Sequence, residues 1–163
     1  MKKGQFQIGF SMIFSIILIV VFLVVAFIAI RAFLGTQCDT EQGLFLKDLQ
    51  KEIDRLWKGA GGEYVFKEKI SSCKLEYVCF WDYESESFGD YERFTTNFLR
   101  KSTDKGPNNI YFYKREDSGI KSSTVYNINM SNFRNNPECF RKVEDEFQIK
   151  LNKNLNEALV RVS

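Results

Sequence analysis

The chain has 163 residues, with 23 Lys plus Arg, 21 Asp plus Glu and no histidine. Only Lys2, Lys3 and Arg31 of the charged residues lie in the first 34, so residues 35–163 hold 20 basic and 21 acidic groups, near neutrality, and no nucleic-acid partner is expected. Lack of histidine excludes Ser-His-Asp and Cys-His nucleophile systems, HExxH metalloproteases and His-ligated zinc.

Residues 1–7 form a short basic leader. From Ile8 to Ile30 no residue is charged. As a helix these 23 residues rise roughly 35 Å, against a hydrocarbon core of about 30 Å, so residues 8–34 are expected to form a transmembrane helix in a lipid bilayer. The run is rich in β-branched and aromatic residues, poor helix formers in water. In lipid a single segment must satisfy its amides internally and so must be helical. A cleaved secretory signal would have a shorter apolar core and a small-x-small site, where this chain has Arg31 and Phe33. An interfacial helix would need a polar face, which Ser11 and Ser15 do not make. Lys2 and Lys3 before the span, and Asp39 and Glu41 after it, place the N-terminus in the cytoplasm and the larger part of the chain outside.

Gly35 is expected to interrupt the helix, and Asp39 to cap a second one, with Gln42 three positions on. Leu46, Leu49, Ile53 and Leu56 then recur at helical spacing, and the glycines at 59, 61 and 62 end this amphipathic segment, residues 35–62. Residues 63–163 change period. Segments 63–69, 73–82, 109–116 and 124–130 alternate in polarity and are rich in Tyr, Phe, Val and Ile, the signature of half-buried strands. Residues 89–101 read as a short helix or an irregular crossover, Glu144-Asp145 as the turn of a hairpin, and the last residues as a strand closing the sheet. The fold class is α+β: a long transmembrane helix, a short amphipathic helix, then a mostly antiparallel sheet head.

Cys38, Cys73, Cys79 and Cys139 all follow the span, as expected of an external domain with two disulfides. Of three pairings, Cys73–Cys79 is disfavoured, because six residues of extended strand separate their sulfurs by about 20 Å. Cys79 with Cys139 and Cys38 with Cys73 is the pairing expected of the two that remain. Asn129-Met130-Ser131 is an N-glycosylation sequon. The acidic run Asp82, Glu84, Glu86 and Asp90 is not an EF-hand, having Ser87 and Arg93 where that loop needs Gly and Glu. With no G-x-S-x-G and no CxxC either, no catalytic, cofactor or metal residue is assigned.

The opening MKKGQFQIGFSMIFSIILIVVF resembles the class III signal and hydrophobic helix of archaeal type IV pilin-like proteins. It is also similar to single-pass membrane proteins of small-genome archaea, a likeness that implies no activity. Lys3-Gly4-Gln5 matches the start of the pilin pattern, Lys-Gly-Gln and then x-Ser-x-Glu. The resemblance implies cleavage after Gly4, leaving Gln5 as the new terminus. Gln7 stands where the pattern has Ser and Gly9 where it has Glu, so the carboxylate that aligns neighbouring subunits is missing. Lateral packing on copies of itself or on other membrane proteins would use Ser11 and Ser15, at small-xxx-small spacing, and the stripe Phe6, Phe10, Phe14. The expectation is a non-enzymatic, single-pass, pilin-like surface protein with an extracytoplasmic contact-making head. A polymerising filament subunit, or an accessory subunit of a membrane complex, is the alternative.

Overall fold

A computed structural model of the protein describes residues 10–71, 73–101, 108–114, 120–131 and 133–163, with the backbone alone given for residues 10, 11, 97–101 and 114. The chain divides into two compact units, Met1–Thr36 and Gln37–Ser163.

The first unit is helical throughout its described length. Helix α1, Phe10–Lys58, begins in it and continues into the second unit. The break expected at Gly35 is therefore absent, and Asp39 is an interior helical residue rather than a cap. A single glycine costs a helix only about 1 kcal/mol, too little to end one that is favoured on both sides. Thr36 stays compatible with the helix by donating its hydroxyl to the Ala32 carbonyl at 3.1 Å.

In the second unit, Cys38, Gln42, Phe45, Leu49, Ile53 and Leu56 are the buried stripe of α1. Their spacings of three and four put them on one face. The helix ends at Lys58, where the Gly59 amide donates to the carbonyls of Arg55 and Leu56. Gly61, at φ 128°, is required there, since a Cβ would stand 2.9 Å from the Lys153 carbonyl oxygen. The Lys153 ammonium donates to the Trp57 and Gly59 carbonyls, satisfying helix-end acceptors.

The strands are β1 (Gly62–Lys69), β2 (Leu75–Phe80), β3 (Ile110–Lys114), β4 (Ser122–Ser123), β5 (Ile128–Asn129), β6 (Glu138–Arg141), β7 (Glu146–Lys153) and β8 (Val160–Val162), with helix α2 (Glu92–Lys101) between β2 and β3. They form two four-stranded sheets rather than one, ordered β1-β7-β8-β5 and β4-β3-β2-β6. All pairings are antiparallel except β5 with β8. The α+β class with a mostly antiparallel head is thus the observed architecture.

The expected hairpin at Glu144-Asp145 is only half present. Both turn residues have positive φ, 50° and 64°, and Val143 bridges Glu146. Beyond that bridge the two strands separate, β6 pairing with β2 and β7 with β1. The turn is therefore a corner between sheets.

Phe45 shows where the core sits. Its ring lies 5.3 Å from Phe66 of β1, 5.9 Å from Phe147 of β7 and 5.8 Å from Phe112 of β3, all edge-on, so one helix residue touches both sheets. Val78, Phe80, Ile110 and Phe112 belong to this main core. The alternate residues of β2 and β3 (Tyr77, Cys79, Tyr111 and Tyr113) build a second cluster with Trp81, Cys139 and Phe94 of α2. Phe94 stacks on Tyr113 at 4.3 Å and 6°. Strands β2 and β3, central to their sheet, are accordingly covered on both faces, with Tyr77 and Tyr113 half-buried. The other sheet has a polar outer face, where Lys150 and Glu63 pair at 2.9 Å.

Candidate functional site

The apolar part of α1 is the most unusual surface of the chain. Every large apolar side chain from Met12 to Leu34 is exposed. Burying a Val, Leu, Ile or Phe side chain is worth about 1.5–3 kcal/mol, so leaving this surface in water would cost on the order of tens of kcal/mol. The helix is long and apolar enough to cross a membrane, and it is one candidate span among the described residues. Arg31 lies near the end of the apolar stretch of α1, with its guanidinium 4.5 Å from the Phe27 ring centroid, an arrangement suited to a cation leaving an apolar layer. Of the residues named for lateral packing, Phe14 and Ser15 are exposed on α1. Phe10 and Ser11 are helical, with their side chains outside the described residues, as are Phe6 and the leader residues Gly4 and Gln5.

The head is braced covalently. Cys38–Cys73 ties α1 to the connection between β1 and β2, and Cys79–Cys139 joins registered partners of β2 and β6. The expected pairing is the one formed, and no cysteine is free. On the chain-entropy model, closing separations of 35 and 60 residues is worth about 4 kcal/mol each.

Carboxamide side chains do much of the remaining positioning, and sequence reading missed them. Asn109 accepts the Val125 amide at 2.8 Å through Oδ1 and donates to the Val125 carbonyl at 2.7 Å through Nδ2. Gln42 makes the same two-point clamp on Ile120, at 2.7 and 3.2 Å, and Gln50 makes it on Tyr126, at 2.8 and 3.4 Å. Asn136 accepts the Asp82 amide and donates to the carbonyls of Asp82 and Glu86, which holds the acidic loop. Each amide imitates the donor–acceptor pair of a neighbouring strand. Segment 124–127, which reads as strand, is consequently pinned by side chains while only Ile128–Asn129 enters a ladder. The legible signal was Gln42 itself, a polar residue on an otherwise apolar helical stripe.

The acidic loop is arranged as a turn. Asp82 accepts the Glu84 amide at 3.1 Å and the Ser85 hydroxyl at 2.7 Å. Among the described residues, no group of three or more Cys, Asp or Glu is placed to hold a metal. Perturbed acids are few. Burial, followed by the Asp48 charge, pushes the Glu68 carboxyl up. The Tyr83 phenol is raised by Glu84, then by burial. Tyr111 and Tyr91 are raised mainly by burial in the aromatic cluster. The hydrogen bond from Lys150 lowers Glu63. Tyr91 and Tyr111 share the aromatic cluster, and Glu63 and Glu68 both stand on β1. Asn129, the sequon residue, ends β5 and is half-buried. Comparison of the chain with protein-family models, with curated proteins and with solved structures gives no match.

Proposed function

We propose that this is a non-enzymatic, single-pass, pilin-like surface protein. Its apolar helix sits in the bilayer with the N-terminus in the cytoplasm, and its disulfide-braced head makes contacts on the external side. The observation that carries this reading is the charge-free helix from Met12 to Ile30 with all its large side chains bare, followed by a head whose four cysteines are all in disulfides. The lysines of the leader support the direction of insertion, since cytoplasmic flanks carry the excess of Lys and Arg. Lys3-Gly4-Gln5 supports the pilin-like assignment, and the lack of any acidic residue before Asp39 favours an anchor over a registered filament subunit.

Protease shaving of intact cells tests the topology. The head is expected to be digested while the leader and span survive; a protected head refutes the reading. Mass spectrometry of the mature N-terminus separates the variants of the proposal. Gln5 at the terminus indicates processing, and Met1 indicates a retained anchor. A polymer or stoichiometric complex in mild detergent would replace the lone anchor by one of the assembled forms.

A further inference from the structure

The sequon lies in a conformation suited to modification, and we infer that Asn129 is an N-glycosylation site of the external head, an inference that rests on the topology proposed above. Ile128 and Met130 face the main core, Ile128 as a buried member and Met130 packed against it. By strand alternation Asn129 and Ser131 turn away from that core. Strand β5 ends its sheet, with β8 on one side and no strand on the other among the described residues.

The two ends of the Asn129 amide are treated differently. Oδ1 accepts both the Ser131 hydroxyl, at 2.6 Å, and the Ser131 amide, at 3.0 Å. Both acceptor positions are thus held by the hydroxy residue of the sequon. Nδ2 donates to no acceptor among the described residues. Among the described asparagines, Asn108, Asn109, Asn127, Asn136 and Asn152 each donate Nδ2 to a protein acceptor, whereas Asn129 shares its undonated Nδ2 with Asn135, Asn154 and Asn156. At Asn129 the nitrogen that would be modified is the unspent group.

The donor class is an oligosaccharide linked through phosphate to a membrane lipid, presented on the external face by a transferase. Nδ2 forms a bond to the sugar C1 as the C1–O bond to phosphate breaks. The electron pair leaves with the phosphate oxygen, and the Nδ2 proton passes to a base of the transferase. No oxidant or reductant enters the balance.

The test is glycopeptide mass spectrometry on the full chain from native membranes, with protease shaving of the same cells. The peptide containing Asn129 is expected to carry added mass in whole sugar residues. Asn129→Gln and Ser131→Ala should each abolish it, and Ser131→Thr should retain it. An unmodified Asn129 on a head that shaving shows to be external overturns this inference alone. A head protected from protease, with Asn129 unmodified, overturns the topology and this inference with it.

Discussion

Replacing Asn109 by Leu tests whether carboxamide clamps hold the irregular part of the head. The two side chains are close in size, so the change removes hydrogen bonds while nearly preserving volume. Asn109 is 8% exposed and Val125 is 3% exposed. Water therefore cannot replace the bonds at 2.7 and 2.8 Å from Nδ2 to the Val125 carbonyl and from the Val125 amide to Oδ1. Each orphaned buried group costs about 1–3 kcal/mol, and the added apolar burial returns about 1. For the two groups the expected net loss is about 1–5 kcal/mol, centred near 3. For a unit of this size that lowers the melting temperature by roughly 10 °C. Thermal and urea unfolding of the full chain in a non-denaturing detergent would measure it. Asn156→Leu, at an exposed position, is the control and should change stability by less than about 0.5 kcal/mol. A loss under about 1 kcal/mol for Asn109→Leu would refute the clamp reasoning.

Three further outcomes follow from particular contacts. Lys153→Met removes the ammonium bound to the Trp57 and Gly59 carbonyls and should cost about 1 kcal/mol by denaturant titration. Changing Cys38 and Cys73 together to Ser should lower stability by about 4 kcal/mol on the chain-entropy model, read from the urea midpoint. Glu68 has a native pKa raised above its ordinary 4.5, so the folded state binds the extra proton and stability falls as pH rises from that value through the native one. Glu68→Gln should therefore be more stable than the parent at pH 7, with the difference vanishing below pH 4.5; equal gains at both pH values would contradict the assignment.

The parts of this fold that were legible in the sequence are those governed by one strong local signal. The charge-free run, the 46-49-53-56 stripe, the glycine stop and the longer strands each carry a clear period. Covalent pairing was narrowed by strand geometry, because Cys73 and Cys79 stand on or beside one strand and point elsewhere. Gly35 misled because its intrinsic penalty is small beside the stability of the helix on either side. The division into two sheets was hidden for a different reason. A turn with two positive-φ residues specifies reversal but not which sheet the next strand joins; β7 joins the sheet that buries Phe147, Ile149 and Leu151 in the main core, with Phe147 against Phe45 of α1. Segment 124–127 alternates like a strand, yet the backbone of Val125 and Tyr126 is held by side chains remote in sequence, Asn109 and Gln50. Such long-range substitutions leave no periodic trace. At the candidate sites, composition revealed the span and the sequon, whereas the idle Nδ2 of Asn129 became visible only with its neighbours in place.

The most direct measurement traps thiols in intact cells with acid, separates carbonate-washed membranes from the soluble fraction, and counts alkylated cysteines by mass. The account predicts that the protein stays with the membranes and that Cys38, Cys73, Cys79 and Cys139 all resist alkylation until a reductant is added. Recovery in the soluble fraction with all four alkylated at once would contradict it.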